Sequence, residues 1–177
     1  MAKESVLRID NLTKSYGEIA ALAGVSFEIA RGEVYGLLGP NGAGKTTAIS
    51  IISTLVAPAS GGVLVNGVDI HKNPHQARRM LGVIPQEVAL HDELSGRENL
   101  EFFGALYGLK GAALKTRATD VLELVELTGD AHRKLGTFSG GMKRRINIGA
   151  GLMHSPPLVL LDDYFCWCLH LIRRNNR

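Results

Sequence analysis

The chain has 177 residues, 45% of them hydrophobic, which suits one globular domain with a real core. Its net charge of +3 rests on Arg173, Arg174 and Arg177 in the final fourteen residues; without them 17 basic residues face 17 acidic ones, so no basic surface points to nucleic acid or to an acidic membrane. No signal-peptide pattern follows the start, no apolar run is long enough to cross a bilayer, and both cysteines, Cys166 and Cys168, lie near the end, so a cytoplasmic chain without a disulfide framework is expected.

Alternating apolar residues in Val6–Leu12 and Ala21–Ile29, with Lys14-Ser15-Tyr16-Gly17 between them, predict two antiparallel strands. Val34–Leu38 reads as a short buried strand, followed by a glycine-rich turn and a helix from about Lys45 to Thr54. Asn66-Gly67 within Val63–Ile70 marks a hairpin, and Leu81–Pro85 reads as another buried strand. From about 87 to 153 the pattern is helical. Ser95-Gly96-Arg97-Glu98 forms a capping box before Leu100, Phe103 and Leu106. A second helix carries Leu114, Val121, Leu122 and Val125 on one face, and a third starts at Ser139-Gly140-Gly141. Pro156-Pro157 ends it, and Leu158–Leu161 forms a last buried strand leading to Asp162. The expected fold is α/β, a mixed sheet with a helical insertion between Gln86 and Leu158; no internal repeat or low-complexity segment is present.

The run Gly39, Pro40, Asn41, Gly42, Ala43, Gly44, Lys45, Thr46 fits G-x-x-x-x-G-K-[ST], between a predicted strand and a predicted helix, where its mechanism needs it. Glycines let backbone N–H groups turn inward around a β-phosphate, and the helix N-terminus adds about half a positive charge. Lys45 then reaches the β- and γ-phosphates while Thr46 offers its hydroxyl to Mg2+. Asp162, at a strand end behind such a loop, is placed to hold Mg2+ through water.

In the order Tyr16, Gly39–Thr47, Gln86, Ser139-Gly140-Gly141, Leu158–Asp162, the chain resembles the ATPase subunit of an ABC transporter over residues 5–162. The resemblance implies a P-loop NTPase fold with an antiparallel β portion and a helical insertion, with MgATP as ligand. It implies that Tyr16 stacks on adenine, that Gln86 senses the γ-phosphate and Mg2+, and that Ser139–Gly141 begin a signature helix. The residue types suit those roles: an aromatic face for a purine, a neutral amide for a cation and water, exposed donors for phosphate. In this family the signature binds the nucleotide of the opposite subunit, so the partners implied are a second ATPase subunit, head to tail, and a membrane permease, docked through the helical region. That places the chain at the cytoplasmic face of the membrane. Phe138-Ser-Gly-Gly-Met142 resembles the branch that exports drugs, lipids or polysaccharides. Lys143-Arg144-Arg145, which follows it, reads as a solvated helix face, with contact to phosphate or to a membrane partner as the alternative.

Asp163 stands where the family has a glutamate that orients or activates water. Its carboxylate is one methylene shorter, and positioned base catalysis is worth about 10²–10⁴-fold, some 3–5 kcal/mol, which misplacement forfeits. From Tyr164 on, the sequence matches nothing expected and resembles a frameshifted end, so residues 1–163 are expected to form the domain and 164–177 an anomalous tail, with the C-terminal part of the family missing. His170 is not the switch histidine, and Cys166-Trp-Cys168 with His170 offers three metal ligands at most. Two readings follow: an ABC ATPase that drives export, or a truncated ATP-binding fragment with little hydrolysis. A DNA-repair or translation ATPase usually brings coiled-coil arms or a second ATPase domain, and a kinase or GTPase needs no Ser139-Gly140-Gly141, so both rank below.

Overall fold

Alternation of apolar and polar residues carries the chain through two long antiparallel strands, β1 (Ser5–Tyr16) and β2 (Ile19–Ala30), joined at Gly17 and Glu18. The computed structural model describes residues 4–161. These strands run further than the apolar pattern alone predicts, because Lys14, Ser15 and Tyr16 pair with Leu22, Ala20 and Ile19 although their side chains are polar or exposed. β3 (Ser60–Val65) pairs with the other edge of β1, and β4 (Val68–Asp69) pairs with β3, giving the order β2-β1-β3-β4. The β3–β4 turn is Asn66-Gly67 with both φ angles positive, 48° and 78°, as a two-residue hairpin requires. A register shift between Ile9 and Leu12 lets both residues bury on a spacing of three, which an unbroken strand would send to opposite faces.

Helix α1 (Lys45–Ile52) buries Ala48, Ile51 and Ile52; it stops short of Thr54, whose φ of 64° is incompatible with a helix. A short helix α2 (Pro74–Arg79), which the sequence pattern did not reveal, starts at a proline and buries Ala77. The expected buried strand at 34–38 is not formed. Val34, Tyr35 and Leu38 are exposed, Leu38 at 94%. A short run of continuous apolar residues becomes a buried strand when ladder partners flank it and layers cover both faces; among the described residues no ladder reaches it. The Tyr35 ring instead stacks on Phe27 of β2, centroids 5.0 Å apart.

These elements form one of two compact units, which divide between Leu81 and Gly82. Strand β5 (Leu81–Ile84), all but its first residue in the second unit, lies beside β6 (Leu158–Leu161). Helices α3 (Gly96–Leu106), α4 (Gly111–Leu124) and α5 (Gly140–Leu152) enclose a core that includes Leu100, Val121, Leu122, Leu135, Ile146 and Met153. The capping box starts α3: the Ser95 hydroxyl accepts from Glu98 N, and Glu98 Oε2 accepts from Ser95 N at 2.8 Å. Where α5 crosses β5 the backbones nearly touch. A Cβ on Gly82 would lie 2.6 Å from the Gly151 carbonyl oxygen, and one on Gly151 would lie 2.6 Å from Ile84 Cγ1.

Candidate functional site

The glycine-rich loop 39–44 leaves the irregular segment after β2 and runs straight into α1. Ala43 N donates to Pro40 O at 3.2 Å, closing a turn inside the loop. Gly44 is the N-cap residue, with φ 80°, and an added Cβ would sit 2.2 Å from the Ala21 carbonyl oxygen of β2. No side chain but glycine fits there. The start of α1 therefore carries no side-chain cap and no acidic residue in its first turn, which leaves its N-terminal N–H donors and its dipole to an anion. Lys45 is turned back into the loop, its ammonium donating to Gly39 O at 2.6 Å and Pro40 O at 2.7 Å. Thr46 is exposed in the same first turn, and Thr47 is partly buried.

Tyr16 ends β1 with 51% of its surface exposed, and the Lys14 ammonium lies 5.4 Å from its ring centroid. Gly44 touches β2 at Ala21 and Leu22, and Leu22 pairs with Lys14, two residues before Tyr16. Tyr16 thus stands about 7 Å along the strand from the level of the loop's anchor. The first unit accordingly carries an exposed aromatic ring and an anion cradle, side by side on one hairpin.

The second unit holds the other predicted residues. Gln86 follows β5 in an exposed irregular segment. Ser139 is the N-cap of α5, its hydroxyl accepting from Met142 N at 3.3 Å, and Gly140 and Gly141 are exposed with open space where a Cβ would project. Asp162 and Asp163 lie outside the described residues, as do Cys166, Cys168 and His170; β6 ends at Leu161, just before the two acids.

The basic triplet is not a freely solvated face. Lys143 Nζ pairs with Asp92 at 2.7 Å, Arg145 pairs with Glu126 at 3.6 Å, and Arg144 donates to the backbone oxygens of Pro85 and Gln86. Sequence reasoning missed this, and it missed Asn99, which is fully buried. Asn99 Oδ1 accepts from His91 N at 2.9 Å, and Asn99 Nδ2 donates to His91 O and Ser95 O, both at 3.0 Å. The available signal was an asparagine inside a helix, where its side chain competes with the backbone and is disfavoured unless it has other work.

Mg2+ bound with a nucleotide is held by few protein oxygens and by phosphate oxygens rather than by a protein cage. The exposed Thr46 hydroxyl beside the anion cradle fits that description, and the neutral Gln86 amide is of the right donor type. Among the described residues no three His, Cys, Asp or Glu side chains are grouped to hold a metal.

A glycine loop anchored on a strand and running into an uncapped helix whose first residue is lysine defines a nucleotide-binding protein of the P-loop class. The ABC transporter family matches residues 22–165, and the chain belongs to it. It is 51% identical over 158 residues to the linearmycin resistance ATP-binding protein LnrL of Bacillus subtilis (strain 168), a match covering 89% of this chain and 51% of that protein. It is 46% identical over 157 residues to the doxorubicin resistance ATP-binding protein DrrA of Mycobacterium tuberculosis, covering 88% of this chain and 47% of the relative. The chain spans about half the length of these curated relatives. Among solved structures, an ATP-binding subunit of an ABC transporter superposes with a TM-score of 0.81 at 31% identity, over 97% of this chain and 73% of the other. The ATP-binding cassette MJ0796, solved as a dimer in a post-hydrolysis state with ADP and Pi, gives a TM-score of 0.73 at 30% identity, over 88% of this chain and 72% of that one.

Proposed function

We propose that the chain binds MgATP and, within an intact ATP-binding subunit, hydrolyses it to drive export through a membrane permease. The observation that carries this reading is the cradle at 39–47, where the Gly44 cap on β2, the uncapped start of α1 and the inward Lys45 ammonium offer donors to one anion. On phosphate binding, Lys45 exchanges two neutral carbonyls for charged oxygens, a stronger partner. Tyr16 stacks on adenine, Thr46, Gln86 and Asp162 serve Mg2+, and Asp163 takes the position of the general base. Bound Mg2+ neutralises charge on the phosphates. Ser139, Gly140 and Gly141 present α5's N-terminus to a nucleotide held by a second subunit, so two chains facing head to tail would complete two sites. MJ0796 is described as a dimer, which supports pairing of two chains.

Residues 1–163 are assigned to one ABC-type ATP-binding domain with a helical subdomain at about 87–153. The resistance names of the relatives support a drug as cargo. Among the described residues no helix is long and apolar enough to cross a membrane. Attachment at the cytoplasmic face through a permease is the reading that the family supports. Asp163 in place of glutamate favours a second reading, a truncated ATP-binding fragment with little or no hydrolysis. Single-turnover hydrolysis by wild type and by Asp163→Glu separates the two: a wild-type rate well above the enzyme-free rate and equal to the variant's excludes the second reading, and hydrolysis absent from wild type or accelerated by the glutamate supports it.

A further inference from the structure

We propose that Arg144 is a positioning residue for Gln86, making the signature helix and the glutamine segment one moving part. The inference rests on the MgATP reading above, in which Gln86 meets Mg2+ and phosphate. After β5 the chain from Pro85 to Ala89 is exposed and has no regular structure. Its backbone is held from one helix. Arg144 Nη1 donates to Pro85 O at 2.5 Å and to Gln86 O at 3.3 Å, and Asn147 Nδ2 donates to Pro85 O at 3.3 Å. Arg144 and Asn147 are three apart and share a face of α5. One residue before Arg144, Lys143 takes hold of Asp92, three residues beyond the segment.

Ser139 caps α5 at its N-terminus, and Arg144 lies about 7 Å from it along the axis, within one rigid rod. A shift of that rod displaces the Gln86 backbone with it. Arginine is suited to this hold because its planar, permanently charged guanidinium keeps one nitrogen, Nη1, in reach of two successive carbonyls, whereas the ammonium of lysine is a point charge on a flexible stem. Lysine therefore restores part of the hold and an apolar side chain none.

The test uses the full 177-residue chain in five forms: wild type, Arg144→Met, Arg144→Lys, Gln86→Ala and the double variant Gln86→Ala with Arg144→Met, with thermal unfolding to establish that each is folded. One readout is the rate of Glu-C cleavage after Glu87, divided by that after Glu18 in the β1–β2 turn. The other is the dissociation constant of ATP in Mg2+ and in EDTA. With Arg144→Met, relative cleavage after Glu87 rises about tenfold, because the segment opens more often. Its MgATP affinity falls about tenfold, as for loss of an outer-shell partner, while ATP affinity in EDTA stays within about twofold of wild type. Arg144→Lys recovers part of both effects, and Arg144→Met adds little to Gln86→Ala.

Unchanged cleavage in a folded Arg144→Met chain overturns the proposal. So does unchanged MgATP affinity in that variant when Gln86→Ala weakens it. A different pattern marks failure of the underlying reading: wild type and Gln86→Ala then bind ATP equally with and without Mg2+, and the positioning role falls with it. If Arg144→Met does not fold, Arg144→Lys carries the decision, and wild-type values in both readouts overturn the proposal.

Discussion

Replacing Lys45 with alanine removes the cation that donates to Gly39 O and Pro40 O. Both bonds are solvent-accessible, so their loss costs the ligand-free protein little, under about 1 kcal/mol. In the proposed MgATP complex the ammonium would face phosphate, and a hydrogen bond to a charged group is worth about 1.5–3 kcal/mol. At about 1.4 kcal/mol per factor of ten, MgATP affinity should fall about 10- to 150-fold. The assay is thermal unfolding with ligand fixed at about one hundred times the wild-type dissociation constant, which stabilises the wild type by about 2.7 kcal/mol. For a chain of this length that is a rise of about 5–10 °C in Tm. Lys45→Ala at the same concentration should rise by less than half as much, about 1–5 °C, from a nearly unchanged starting Tm. Equal rises in both proteins would refute the reasoning, since nucleotide would then bind without the loop.

Gly44→Ala should lower stability by about 2–4 kcal/mol, summing a left-handed backbone cost and the overlap with the Ala21 carbonyl, and should abolish the MgATP shift; urea unfolding measures the first. Gly151→Ala should cost about 1–3 kcal/mol by forcing α5 off β5, again read by urea unfolding, with a loss below about 0.5 kcal/mol contradicting the packing described. Ser95→Ala should cost about 1 kcal/mol in urea at neutral pH. The Ser95 hydroxyl, then the Ser95 backbone N–H, hold the Glu98 carboxyl below its ordinary range. This contribution is present above the ordinary glutamate pKa and is lost as pH falls through the depressed folded value, so the stability gap between wild type and Ser95→Ala should narrow across that acid window.

What the sequence disclosed and what it hid divide along the range of the interaction. Gly39–Thr46, Asn66-Gly67 and Ser95–Glu98 were legible because each feature is decided within a few residues by glycine conformation, turn chemistry or capping. Lys14–Tyr16 were missed as strand because backbone pairing with Ala20 and Leu22, not apolar alternation, holds them there. Val34–Leu38 failed in the opposite direction: its composition is that of a buried strand, but a strand is a property of its neighbours as much as of its residues. Arg144, Asn147 and Lys143 act on residues 51 to 62 positions away, a separation no local pattern encodes.

The motifs are nonetheless not independent ornaments on a fold, because each one stands on the element that most restricts it. Gly44 lies so close to a strand carbonyl that no side chain fits between the loop and β2. Ser139 opens a helix whose later residues Gly149 and Gly151 admit no larger side chain without displacing Val121 or Ile84. A cap whose helix is locked at its far end has a fixed direction, and a fixed direction is what an anion site at a helix N-terminus needs. The same locked helix grips Pro85 and Gln86. Rigidity of α5 therefore supports both Ser139 and Gln86, two residues of the proposed site, through one set of close contacts, and loosening it at Gly151 should disturb Gln86 and Ser139 together while the loop around Lys45 keeps its own support on β2.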